Sequence, residues 1–184
     1  YPWPQELGHK YSRGHALVVG GERMTGAARL TARAAARVGA GLVTVAAPRP
    51  VWSVYATALE SIMVQAFSDA DTLDSILADT RKNTVAIGPG LGVSEATRKQ
   101  TLQLLSKQRA CVLDADAISS FSNQPGQLFS VLSENCVLTP HEGEFARIFN
   151  VSGSKLERAR TAARLAGAVV LLKGPDTVVT HPDG

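Results

Sequence analysis

Cysteine is scarce. The two in 184 residues, Cys111 and Cys136, each open an apolar strand-like run with no CxxC and no Cys/His spacing. That excludes a disulfide framework and a thiolate metal site, and it predicts buried free thiols in a reducing compartment. No apolar run approaches the roughly 18 residues that a membrane helix needs. The opening YPWPQELGHK lacks the charged-then-apolar order of a signal peptide, so the expected location is cytoplasmic. An excess of one charge is lacking too: the net charge is +3 and the Lys and Arg residues are spread along the chain. Nucleic acid and acidic membrane surfaces are therefore not the expected partners, while a small anionic ligand stays compatible. Walker lysine, Rossmann GxGxxG, nucleophile-elbow and clustered metal-ligand motifs are all missing.

What is present reads as one compact α/β domain over residues 1–184, since 45% hydrophobic residues at a mean hydropathy of +0.02 suffice for a single core. No repeat or linker divides it. The organising stretch is Val85–Gly92, VAIGPGLG, a short buried strand running into a loop with three glycines. Without Cβ atoms, Gly88, Gly90 and Gly92 can take positive φ and let a ligand lie against the backbone. Strand, glycine loop and helix in that order is how α/β proteins build sites at the carboxyl ends of their strands. A plain βα turn would carry the same glycines and proline.

Taken in order, Tyr1–Ser12 reads as an irregular arm, on the surface or against a partner subunit. His15–Gly21 is a strand closing on two glycines. Thr25–Gly39 is an alanine-rich helix with Thr25 as N-cap and Gly39 as stop signal. Arg29, Arg33 and Arg37 share one solvated face, and Ala28, Ala32, Ala35 and Ala36 form the packing face. Strands are expected at Leu42–Ala47, Ile62–Phe67, Ala110–Asp114, Asn135–Leu138 and Ala168–Lys173. Helices are expected at Pro50–Leu59, Asp71–Thr80, from Ser94 or Glu95 to Lys107, at Gly126–Ser133, from Glu144 to Phe149, and at Lys155–Gly167. This alternation argues for a mainly parallel sheet covered on both faces. Asp176–His181 followed by Pro182-Asp183-Gly184 reads as the first arm of a hairpin whose second arm lies beyond the chain.

Polar residues collect just after strands: Gly20 and Gly21, Gly88–Gly92, Asp114 and Asp116, His141 and Glu144, and Lys173. In a parallel sheet these ends share one edge, so residues distant in sequence can meet in one crevice. Singly each has a bland reading. His141 can be a satisfied loop histidine, Lys173 a solvated turn residue, and the aspartates turn residues bonded to their own backbone.

Six segments in order carry a specific resemblance: HKYSRGHALVVGG at His9–Gly21, MTGAARLTARAAARVGAGLVTVAAP at Met24–Pro48, AIGPGLG at Ala86–Gly92, VLDADAI at Val112–Ile118, LTPHEGEFARI at Leu138–Ile148 and VVLLKGPDTVV at Val169–Val179. Together they resemble the ADP-dependent NAD(P)H-hydrate dehydratases. The resemblance implies a ribokinase-like three-layer sandwich, a mostly parallel central sheet with helices on both faces. It implies dehydration of the S epimer of hydrated NADH or NADPH with ADP, or ATP, and Mg2+. Ala27, Gly90 and His141 would line the hydrated dinucleotide. Lys173, Gly174 and Thr177 would border the adenine nucleotide, and Glu144, with Asp114, would be the acidic residues near a metal. The partners implied are that substrate and the nucleotide, with a homo-oligomer as the assembly. The family's glycine-rich GxGD loop, which supplies the catalytic Asp, does not occur in the sequence, so the expectation is a truncated chain of impaired activity with an unpaired sheet edge. Two other readings stay open: a kinase of a small hydroxylated substrate, which the same fold serves, and a non-catalytic nucleotide-binding fragment. His141 in TPHEGE favours the dehydratase, since the kinases of this fold usually place Asn there.

Overall fold

Aliphatic residues at period two build the strands, and each strand hands the chain to a helix that covers one face of the sheet. A computed structural model describes residues 8–184. Eight strands form one sheet: β1 (His15–Val19), β2 (Leu42–Pro48), β3 (Met63–Phe67), β4 (Thr84–Ile87), β5 (Ala110–Leu113), β6 (Cys136–Leu138), β7 (Val169–Leu172) and β8 (Val178–Thr180), in the spatial order β3-β2-β1-β4-β5-β6-β7-β8. All neighbours are parallel except β7 and β8. The order reverses between β1 and β4. That reversal is the topological switch point where open α/β sheets leave a crevice beyond the carboxyl ends of their strands.

The helices are α1 (Thr25–Val38), α2 (Trp52–Ala58), α3 (Ala70–Leu77), α4 (Glu95–Leu105), α5 (Asp116–Ser119), α6 (Pro125–Phe129), α7 (Glu142–Ile148) and α8 (Lys155–Ala166). Alternation splits β1 between two cores. Leu17 and Val19 join the large cluster with Leu73, Ile76, Leu104, Ile118, Phe145 and Ala162, while Val18 joins Ala28, Ala32 and Tyr55 of α1 and α2. These are the two outer layers of a three-layer sandwich. Small residues at the packing positions of α1 and α8, with Ala28, Ala32, Ala159 and Ala162 all fully buried, let those helices lie close on the sheet.

Several expectations are corrected. Thr25 does not cap α1: the cap position is Met24, which makes no side-chain cap hydrogen bond, and Thr25 is already helical. Ala36 is exposed and Arg29 half-buried, because the helix turns 100° per residue and the packing stripe passes through Ala28 and Ala32 instead. Asp176–His181 is not the first arm of a hairpin. Its core, β8, pairs antiparallel with the preceding β7, with Leu171 opposite Val179. β7 and β8 are thus the two arms, and β8 is one of the two edge strands among the described residues, with β3 at the other end. The arm expected at Tyr1–Ser12 lies partly outside the described residues. Within them, Lys10–Arg13 forms a single 3-10 turn capped by His9. The short helix α5, which begins two residues after Asp114, has too few residues to show a period in sequence.

Candidate functional site

The glycine loop is held from both sides by backbone. A Cβ on Gly21 would overlap the carbonyl of Gly90, one on Gly90 would press on the carbonyl of Met24, and one on Gly88 would overlap the carbonyl of Asp114. Gly88, Gly90 and Gly92 have φ of 126°, 76° and 84°, a region side chains avoid. The glycines therefore do two jobs, supplying the conformation and letting the loops after β1 and β5 close on it. Asp116 adds a clamp, its Oδ2 accepting the Gly92 N–H at 2.8 Å. Ala27 stands in the first turn of α1, three residues from Met24.

Past the loop, four side chains from three strand ends converge. Lys173, one residue beyond β7, forms a parallel bridge with His141 and donates its N–H to the Pro140 carbonyl at 2.8 Å. Its Nζ donates to Asp114 Oδ1 at 2.6 Å and lies 4.0 Å from Glu144 Oε2. The same Asp114 oxygen accepts from Thr139 Oγ1 at 2.9 Å. His141 is the N-cap of α7. Its Nδ1 accepts from the N–H of Gly143 at 2.9 Å and of Glu144 at 3.3 Å, while Glu144 Oε2 accepts the His141 N–H at 2.9 Å. With Nδ1 an acceptor, the neutral ring carries its proton on Nε2, which faces Glu144 Oε1 at 3.4 Å. Glu144 is a buried carboxylate at 6% exposure, held between the capping N–H and the ammonium.

Gly174 and Thr177 share one turn. Gly174 donates to Thr177 Oγ1 at 3.3 Å and that hydroxyl donates back to the Gly174 carbonyl at 3.0 Å. A Cβ on Gly174 would collide with Lys155 Nζ, which pairs with Asp176 at 2.8 Å. The Lys155 ammonium holds the Asp176 carboxyl below the usual range, as the Arg158 guanidinium does for Glu142.

Lys173 thus joins Asp114, Glu144 and His141, while Gly90 sits on the glycine loop, Ala27 in the first turn of α1, and Gly174 and Thr177 in the turn that follows Lys173. Two lysines flank the Gly174 turn, each paired with an aspartate: Lys155 with Asp176 and Lys173 with Asp114. For magnesium, Asp114 and Glu144 are the available carboxylates. No group of three or more His, Cys, Asp or Glu able to hold a metal occurs among the described residues. That donor set suits a magnesium whose ligands come mainly from phosphate oxygens and water.

Sequence reasoning missed Ala115. It sits between Asp114 and Asp116 at φ 47°, ψ −113°, a conformation that costs a side-chain-bearing residue on the order of 1–3 kcal/mol. It missed Tyr55 as well, whose buried hydroxyl donates to the Gly21 carbonyl at 2.8 Å. Burial holds that phenol above its ordinary pKa. Backbone strain at a single alanine and a contact made 34 positions apart in the chain leave no local signal.

The parallel sheet, the switch point and a basic and acidic cluster on its carboxyl edge define a ribokinase-like α/β protein. A ribokinase-like superfamily protein from Enterococcus faecalis superposes with a TM-score of 0.85 at 25% identity, over 97% of this chain and 64% of that one. The sequence model of the carbohydrate-kinase type described as NAD(P)H-hydrate dehydratase matches residues 16–184, and the chain belongs to that family. It is 38% identical to the bifunctional NAD(P)H-hydrate repair enzyme Nnr of Moorella thermoacetica, over 100% of this chain and 37% of that protein, and 36% identical to its Escherichia coli counterpart. An ADP/ATP-dependent NAD(P)H-hydrate dehydratase from Bacillus subtilis, crystallised with ATP and Mg2+, superposes with a TM-score of 0.78 at 26% identity, over 100% of this chain and 66% of that one. The chain therefore spans little more than a third of the curated relatives it matches.

Proposed function

We propose that this chain carries the hydrate-binding and part of the nucleotide-binding surface of an ADP-dependent dehydratase that returns the S epimer of hydrated NADH or NADPH to the working cofactor. The observation that carries the reading is the Asp114–Lys173–Glu144–His141 cluster beside the Gly88–Gly92 loop, in a chain matched by the family model from residue 16 to its end. The nucleotide, when bound, supplies a phosphoryl group able to turn the hydrate's hydroxyl into a leaving group. The protein's part is electrostatic and geometric. The Lys173 ammonium, oriented by Asp114, faces developing phosphate charge. The glycine loop lets the hydroxylated tetrahydropyridine ring of the hydrate approach the backbone, and His141, fixed by its own capping bonds, presents Nε2–H. Gly174 and Thr177 would border the adenine nucleotide. Glu144 would keep the ammonium and the imidazole in register.

The test incubates the purified protein, extended through the GxGD loop that the resemblance implies, with the separated S hydrate and ADP, and follows the return of dihydronicotinamide absorbance. A panel of small alcohols with ATP runs beside it, because the same fold serves kinases. Recovery of the cofactor with no phosphorylated alcohol supports the dehydratase; the reverse pattern supports a kinase.

A further inference from the structure

The cluster just described does not use the whole edge of the sheet. On the β1–β3 side a cavity of about 570 Å³ opens, lined among others by Glu22, Arg23, Arg49, Ser68, Thr97 and Gln100. Its volume is that of a small-molecule site, and Asp114, His141, Glu144 and Lys173 are not among its walls. It adjoins them through Gly21, which lines the cavity and packs against Gly90. In the strand order, β2 lies three positions from β5, so Arg49 at the end of β2 stands about 14 Å across the sheet from Asp114 at about 4.8 Å per strand. That span suits an elongated ligand with its reactive end at Lys173 and its other end in the cavity.

The charged residues of the lining, Glu22, Arg23 and Arg49, are exposed and carry a net positive charge. Arg49 uses only its Nε, donating to Ser68 Oγ at 3.2 Å. Its terminal nitrogens, and the whole Arg23 guanidinium, have no hydrogen-bond or ion-pair partner among the described residues. Two guanidiniums face one carboxylate, Glu22, and Ser94 and Thr97 of the first turn of α4 form the opposite wall. Unpaired planar forks beside a helix start suit phosphate oxygens, and the carboxylate suits a sugar hydroxyl.

On the dehydratase reading, we propose that this cavity receives the adenosine half of the hydrated dinucleotide and that Arg49 pairs with the adenosine 2′-phosphate, making it the residue that distinguishes hydrated NADPH from hydrated NADH. The partly engaged guanidinium is preorganised by Ser68 and needs no existing ion pair to be broken.

The experiment measures binding of NADP+ and NAD+ by calorimetry to the wild type, Arg49→Gln and Arg49→Lys, and turnover of both S hydrates by the same proteins. Arg49→Gln weakens NADP+ binding about tenfold or more and NAD+ binding less than about twofold, as expected for loss of one charge-assisted hydrogen-bonded pair. Arg49→Lys recovers part of the NADP+ loss. Equal weakening of both ligands, no weakening of either, or a wild type that binds neither, overturns the assignment. Turnover separates this from the function itself. A wild type that dehydrates both hydrates with an Arg49-independent preference overturns only the cavity assignment. Arg49-dependent NADP+ binding without any dehydration, in the protein extended through the GxGD loop, overturns only the dehydratase reading.

Discussion

Lys173 Nζ and Asp114 Oδ1, 59 residues apart in sequence, meet at 2.6 Å across the ends of β5 and β7. Thr139 from the intervening β6 end shares the same carboxylate oxygen. Three successive strands are thus tied at their carboxyl ends by one charge pair. Both partners remain partly exposed, at 39% and 29% of the side chain, so the pair adds little to folding, no more than about 1 kcal/mol.

Lys173→Met is therefore expected to leave the urea midpoint nearly unchanged while lowering kcat/KM for the hydrate by about a hundredfold or more, the cost typical of a lost charge-stabilising donor. Parallel denaturation and rate measurements check it. A large stability loss with the activity of the folded fraction intact would assign Lys173 to the fold alone.

His141 has a double duty that separates by substitution. His141→Ala removes the N-cap of α7 and is expected to cost about 1 kcal/mol, whereas His141→Asn keeps a capping acceptor and most of that stability. Both variants lose the Nε2 donor, so both should lose turnover. Activity retained in the Asn variant would reduce the imidazole to a cap.

The strand ends could be read from the sequence because glycine and polar residues after aliphatic runs mark where a backbone must turn. Gly88–Gly92, Asp114, His141 and Lys173 were visible for that reason. The pairing of β8 with β7 was not, since TVVT reads the same with a partner on either side. Nor was the capping role of His141, which depends on the orientation of one ring nitrogen. The cavity at Arg23 and Arg49 stayed hidden because it is assembled from four separate strand ends, and isolated arginines read as solvated surface.

Ala115→Gly should raise or hold the melting temperature. The φ of 47° with ψ of −113° penalises a Cβ by on the order of 1–3 kcal/mol, which outweighs the roughly 0.5–1 kcal/mol of extra unfolded-state entropy that glycine brings. Calorimetric unfolding checks it, and a clear drop would mean that the methyl group's packing exceeds its strain.

His15 gives the fold a pH dependence. Its Nε2 lies 2.7 Å from Thr44 Oγ1. Burial lowers its pKa below 6.5, Lys82 acts in the same direction, and the opposing effect of Asp79 is smaller than that of Lys82, with Arg81 adding a still smaller lowering. The unfolded chain therefore binds a proton that the folded chain resists. This contribution is present in full above 6.5 and is lost as pH falls through the lowered folded value. Urea midpoints at about pH 7.5 and about pH 5 should differ more for the wild type than for His15→Gln. An equal difference would remove His15 as the source.

The most direct test resolves the two epimers of hydrated NADH by chromatography during incubation with ADP and residues 1–184 extended through the family's GxGD loop, with Lys173 either kept (the wild type) or changed, as Lys173→Met. The account predicts that the wild type consumes the S epimer, leaves the R epimer, and releases NADH in step with S loss, while the variant consumes neither. Equal consumption by wild type and variant, or no S-epimer loss with the wild type, would contradict it.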